Sequence, residues 1–213
     1  MIMNFSDFQT KGPWQWSLND NLLERITIKQ LNETFPANEL LFSERTFGSD
    51  KTYICKQLPI YNEFHSNECA SFLDPVWHKM IVYIKSEEYR RNVGDIAQCD
   101  LSNAWIEVVI NQYDADCYMS AHTDRLPKLA THLIYLSNIP ESSSGGEFVV
   151  FDEKKNPVHA VQPVEGRSII FKRTNNSWHA VNPVKNSNFQ RRSVQIVFWQ
   201  SEPEKAPPGR QIY

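Results

Sequence analysis

The chain has 213 residues, 41% of them hydrophobic and 12% aromatic, enough apolar material for one folded domain with a long elaboration. That composition excludes a disordered chain. A net charge of −3 leaves no electrostatic footprint for nucleic acid or an anionic membrane as partner.

Helical signals dominate before residue 100. The stretch "LNDNLLERITIKQLNETFP" (18–36) spaces Leu22, Leu23, Ile26 and Leu31 as on one helical face, with Asn19 or Asp20 as N-cap and Pro36 beyond the end. The stretch "LDPVWHKMIVYIKSEEYRR" (73–91) offers Asp74 as N-cap and Pro75 at the first helical position. Val76, Trp77, Met80, Ile81 and Ile84 then form an apolar stripe. Ser86, followed by Glu87 and Glu88, opens a further short helix.

From residue 105 the period becomes that of strands. The predicted strands are 105–113, 131–137, 146–151, 167–173, 178–184 and 191–200. Turn chemistry separates them: "SSSGG" (142–146), "EKKNP" (153–157), "EGR" (165–167) and "KNSN" (185–188). Short strands after a helical region predict an α+β fold, a double-sheet β core with helices packed on one face. The expected organisation is a helical and loop elaboration (1–100), a β core (101–200) and an extended proline-rich tail (201–213).

No stretch is apolar enough to span a bilayer, and the start "MIMNFSDFQTKGPWQW" lacks a signal-peptide pattern. Cys55, Cys69, Cys99 and Cys117 are scattered without a CxxC pair, which fits reduced thiols. The cytoplasm is the expected compartment.

Residues 121–124 read "AHTD" and 177–181 read "SWHAV". On a strand, His122 and Asp124 share a face and can grip one ion from one side. Two imidazoles and one carboxylate suit non-haem iron(II), and His179 is the best placed third ligand. His132 lies in an apolar strand, His159 follows a turn, and His65 and His78 fall in the helical part, so these fit less well.

The His122-x-Asp124 pair, "THLIYLS" (131–137), "GGEF" (145–148), "VQPVEGRSIIF" (161–171), "SWHAVNPV" (177–184) and "RRSVQIVFW" (191–199) follow one another in one order. Over 105–200 this resembles the prolyl-hydroxylase-like branch of the iron(II)/2-oxoglutarate-dependent dioxygenases. The resemblance implies a double-stranded β-helix, or jelly roll, with Fe(2+) at its mouth held by His122, Asp124 and His179. It also implies 2-oxoglutarate and O2 as cosubstrates, with release of succinate and CO2.

The resemblance further implies a basic residue for the distal carboxylate of 2-oxoglutarate, six positions before an aromatic that closes the strand. Counting back from Phe198 gives Arg192, with Arg191 as the alternative; counting from Trp199 gives Ser193, which carries no charge. Tyr135 matches the family tyrosine that reaches the same carboxylate. Tyr113 and Tyr118 match aromatic positions before the HxD strand. The aspartate ligand implies hydroxylation rather than halogenation.

Arg125 and Lys128 follow the HxD and read as solvated loop charges. The expected substrate is a small molecule, an amino acid, saccharide or natural-product intermediate, hydroxylated at an unactivated C–H. No nucleic acid or membrane partner is expected. A peptidyl or prolyl residue of a protein substrate is the second reading, and a noncatalytic jelly-roll binding module the third.

Overall fold

The computed structural model describes residues 3–48, 50–66, 69–137, 144–203 and 211–212. In chain order the first half holds β1 (Gln9–Lys11), β2 (Trp16–Asn19), α1 (Arg25–Glu33), β3 (Leu41–Arg45), β4 (Tyr53–Asn62), α2 (Pro75–Ile84) and α3 (Glu87–Ala97). The second half holds β5 (Trp105–Tyr113), β6 (Tyr118–His122), β7 (Lys128–Tyr135), β8 (Phe148–Phe151), β9 (Pro157–Val161), β10 (Ser168–Lys172), β11 (His179–Val181) and β12 (Arg191–Trp199). A last short strand, β13 (Gln211–Ile212), adds to the edge of β3.

The strands form a mostly antiparallel jelly roll. Hydrogen bonds connect them in the order β1-β2-β10-β7-β12-β5-β4-β6-β11-β8-β9. The run from β2 to β5 makes one wall. Beyond β4 the path curls, so that β8 and β9 lie over the inner face of β7 and β10. There Leu133, Tyr135, Ile169 and Phe171 pack against Phe148, Val150 and Val161. The outer face of the wall carries the helices: Val194, Ile196 and Phe198 of β12 and Ile106, Val108 and Ile110 of β5 pack with Trp77, Met80, Tyr89 and Val93. Strands buried on both faces explain why 105–113 and 191–199 read as near-continuous apolar runs.

The helix starts at 74 and 86 follow the capping chemistry. Asp74 Oδ1 accepts from Val76 N at 2.9 Å, and Ser86 Oγ accepts from Tyr89 N at 3.1 Å. The five apolar residues of the 73–91 stripe are all buried. The helix predicted from 18 differs. Residues 16–19 are a strand paired to β10, and the helix begins only at Arg25. Asn19 is not a helix cap: its Oδ1 accepts from Asn21 N at 2.6 Å and its Nδ2 donates to Asn4 O at 2.7 Å. With that start, Ile28 and Leu31 face inward while Ile26 is 57% exposed.

The first hundred residues are therefore not only helix and loop, because β1 to β4 join the same sheet as the later strands. In particular β4 pairs with β5 over Lys56–Asn62 and with β6 at Tyr53 and Ile54. Trp14, Trp16 and Phe35 are packing residues. Trp14 Nε1 donates to Phe151 O at 3.0 Å, Trp16 Nε1 donates to Gly12 O at 2.9 Å, and Phe35 meets Trp77 edge-on. β9 occupies a stretch read from sequence as turn and loop; its exposed residues give no apolar alternation to detect. The start of the 142–146 turn and residues 204–210 of the tail lie outside the described residues.

Candidate metal centre

His122 closes β6 and His179 opens β11, and the two strands pair with these residues directly opposite each other. Their ring centroids are 4.3 Å apart. Asp124 lies just past the end of β6, not on the strand, and its Oδ1 comes within 3.8 Å of His122 Nε2. One ligand atom from each of the three residues falls within 4.8 Å of the others. All three are buried, at 2%, 4% and 6% exposure for His122, Asp124 and His179.

Both imidazoles are oriented in the same way. His122 Nδ1 lies 2.9 Å from Ser120 O, and His179 Nδ1 lies 2.9 Å from Ser177 O. A carbonyl can only accept, so each Nδ1 carries the proton and each Nε2 keeps its lone pair. His179 is further wedged by Phe171 and Phe148, at 4.8 and 5.4 Å between centroids.

Asp124 is held from three sides. Lys128 Nζ donates to Oδ1 at 2.8 Å, Thr131 Oγ1 donates to Oδ2 at 3.2 Å, and Arg173 Nε donates to the backbone carbonyl at 2.9 Å. Burial would raise the Asp124 carboxyl, but the Lys128 charge, with Lys51 behind it, overcomes this and holds it well below the usual carboxylate range. Burial, the Lys51 charge and the other imidazole push His122 well down, and burial likewise lowers His179. The site thus presents two neutral imidazoles and one carboxylate at neutral pH, the protonation state a divalent metal requires. Lys128 is buried and paired, not a solvated loop charge. Arg125 is exposed, with its guanidinium 5.8 Å from the Trp199 ring centre.

The two adjacent arginines of β12 point to opposite faces. Arg192, the sequence choice for the pocket, lies on the helix-packed outer side. Its guanidinium stacks 4.4 Å from the Phe35 ring and donates to Gln112 Oε1 at 3.0 Å. The reason is parity. Phe198 packs under the helices, and a residue six positions back on a strand shares its face.

Arg191 faces inward and is 2% exposed. Its guanidinium sits 4.8 Å from the Tyr113 ring and 5.0 Å from the Tyr135 ring, and Nη2 donates to the Tyr135 hydroxyl at 3.2 Å. Nε donates to Gly146 O at 2.8 Å, and no carboxylate pairs with it among the described residues. Ser193, two residues on and on the same face, has a buried hydroxyl without a partner. An uncompensated buried cation beside an orphaned hydroxyl fits the distal carboxylate of a dicarboxylate ligand. Strand parity alone separates Arg191 from Arg192 in the sequence.

Tyr113 and Tyr135 thus flank this guanidinium. Tyr118 does not: its hydroxyl donates to Thr52 Oγ1 at 3.2 Å. His132 is also removed from the triad, in a buried chain between α3 and the wall. Its Nδ1 lies 2.7 Å from the Tyr89 hydroxyl and its Nε2 2.6 Å from Ser168 Oγ. A cavity of about 690 Å³ opens over the triad, bounded by the β3–β4 connection, β5 and β12.

Residues 108–200 match the family model of the 2OG-Fe(II) oxygenase superfamily. Over that stretch, somewhat less than half of the chain, the sequence is similar to the 2OG-Fe(II) oxygenase core. The matched family implies iron(II), 2-oxoglutarate and O2 as cofactor set and an oxygenase as the activity, and His122, Asp124 and His179 form a group that could hold the iron. The fold is similar to that of a Pseudomonas putida prolyl-4-hydroxylase, with a TM-score of 0.63 at 16% identity over 88% of this chain and 93% of that one. It is also similar to a Trichoplax adhaerens prolyl hydroxylase solved with a hypoxia-inducible-factor peptide fragment, with a TM-score of 0.57 at 13% identity over 86% of this chain and 83% of that one. AviO1 from Streptomyces viridochromogenes Tue57 matches with a TM-score of 0.58 at 13% identity over 96% of each chain. No curated protein matches the chain in sequence. No helix among the described residues is long and apolar enough to cross a membrane.

Proposed function

We propose that His122, Asp124 and His179 hold iron(II), and that the enzyme hydroxylates an unactivated C–H bond of a small molecule, an amino acid, saccharide or natural-product intermediate. The observation that carries this reading is the convergence of two Nε2 lone pairs and one ionised carboxylate within 4.8 Å. Arg191, with the Tyr135 hydroxyl accepting from its Nη2 and Tyr113 along its face, binds the distal carboxylate of 2-oxoglutarate. Ser193 supplies a further hydroxyl there. Arg192 has no part in that contact.

Bound iron(II) with 2-oxoglutarate supplies the oxidising chemistry, in which one oxygen of O2 enters succinate and the other the substrate C–H. The protein's part is geometric. Ser120 and Ser177 carbonyls fix the imidazole tautomers, and Lys128 and Thr131 fix the carboxylate. The Phe148 and Phe171 rings keep water from the His179 side. None of the three ligands needs to move a proton.

The cavity volume of about 690 Å³ lies within the range of sites for free small ligands, roughly 300–1,000 Å³, which favours a small-molecule substrate. Four free cysteines suit a reducing compartment and support the cytoplasm. Anaerobic titration with iron(II) and then 2-oxoglutarate tests the site. Wild type should take up one iron and show the visible charge-transfer band of the chelate, and His179→Ala and Asp124→Ala should lose both. Succinate release stimulated by prolyl peptides or proteins, and by no small molecule, would replace the small-molecule reading with the second one.

A further inference from the structure

The acids at the cavity mouth are largely taken. Asp50 pairs with Arg45 at 2.5 Å, Asp124 with Lys128 at 2.8 Å, and Glu107 accepts from Asn62 and Trp199 at 3.3 and 3.1 Å. Lys51 lines the same cavity and has neither an ion pair nor a hydrogen bond among the described residues. Its Nζ lies 5.9 Å from the Tyr53 ring centre.

The backbone next to Lys51 is held in place. The neighbouring Thr52 N donates to Ser120 Oγ at 2.8 Å, Ser120 N donates back to Thr52 O at 2.9 Å, and Tyr118 grips the Thr52 hydroxyl. Ser120 is the residue whose carbonyl orients His122. One short segment of β6 therefore sets both the imidazole and the lysine. Burial, then the Lys128 charge, lower the Lys51 ammonium to about 8 in spite of Asp124 and Asp50. A metal dication at the triad would leave this end of the cavity still shorter of negative charge.

We propose that Lys51 anchors the substrate through an oxyanion, a carboxylate or phosphate carried by a small molecule, and so sets which C–H faces the metal centre. This deepens the small-molecule reading above and rests on it. Val109, Met119 and Val197 in the lining of the cavity offer an apolar surface for the neutral body of such a molecule. The ammonium, half-buried in the cavity lining, selects the charged end, because an uncharged analogue would leave it without an ion-pair partner.

The experiment uses the full chain loaded anaerobically with iron(II) and 2-oxoglutarate, and matched probes that differ only in charge. One pair is N-acetyl-L-leucine and its amide; the other is glucose 6-phosphate and glucose. Binding is read by calorimetry and by perturbation of the chelate band. In at least one pair the anion should bind about tenfold or more tightly than its neutral twin. Lys51→Met should abolish that preference, and Lys51→Arg should retain part of it, with iron(II) and 2-oxoglutarate affinities unchanged in both. Equal or absent binding of anion and neutral twin overturns the proposal, as does a preference that survives Lys51→Met. A change confined to 2-oxoglutarate affinity also overturns it, by assigning Lys51 to the cosubstrate. Failure of wild type to form the chelate band is a different result: it removes the oxygenase reading itself, and the anchor with it.

Discussion

His122 and His179 face each other across one β6–β11 register pair, and each ring is tied through Nδ1 to the carbonyl two residues before it. The same local device is used twice, so the two lone pairs converge because the strands pair. Asp124 is different: it sits off the strand, and its position depends on Lys128, Thr131 and Arg173.

That dependence makes Lys128 informative. Lys128→Met leaves the buried Asp124 charge without its main partner and should destabilise the metal-free protein by about 3 kcal/mol. Iron(II) takes over the compensation, so it should raise the melting temperature of the variant more than that of wild type. Equal iron-induced shifts in differential scanning fluorimetry would mean that Lys128 does not balance Asp124.

The two arginines separate by strand face. Arg191→Ala should raise the KM for 2-oxoglutarate about a hundredfold, the loss expected for a bidentate charged contact, with iron affinity little changed. Arg192→Ala, which loses contacts to Gln112 and Phe35 on the outer side, should leave that KM near wild type. Steady-state succinate assays on both variants check this, and the reverse pattern would restore Arg192 to the pocket.

Gly146 adds a geometric test of the same pocket. Its φ is +76°, and a Cβ there would stand 3.2 Å from Arg191 Cδ. Gly146→Ala should cost about 1–2 kcal/mol in urea unfolding from the backbone alone. It should also displace Arg191 and raise the 2-oxoglutarate KM while iron binding persists. An unaltered KM would show that the guanidinium does not need this close approach.

Acid should weaken the fold before it protonates the site. Burial lowers His132 to about 3, and lowers His122 and His179 as well. A depressed histidine is neutral when folded, while the unfolded chain takes up a proton below about pH 6.5. Stability is therefore full above that pH and falls as pH drops toward the folded value, by about 1.4 kcal/mol per unit for His132 alone. Urea midpoints of the metal-free protein between pH 7 and 4.5 should show this slope. A flat profile would mean that His132 is charged in the folded state.

Much of this was legible because chemistry and period agreed. The Asp74–Pro75 and Ser86 starts, the buried stripe of α2 and the full span 105–113 follow from capping and apolar spacing. The triad was legible from residue types and order. What failed had physical causes. At 16–19 an alternating Trp-Ser-Leu-Asn strand is too short to outweigh the leucines that follow it, so the helix was predicted to begin too early. At β12, an even count back from Phe198 stays on its helix-packed face, and Arg191, seven positions back, lies on the other. Lys51 was invisible because nothing local to it is distinctive; its importance comes from a strand pairing with residues seventy positions away.

The double pairing of β4 governs how the molecule is made. The strand that carries His122 is bordered by Tyr53 and Ile54 on one side and by Val181 on the other. Neither border is close in the chain, so loop closure over long separations must precede any assembled ligand sphere. During synthesis the imidazole of His122 must wait for most of the polypeptide to leave the ribosome. A nascent chain halted before β11 can therefore own two of the three ligands and still be unable to capture a metal tightly.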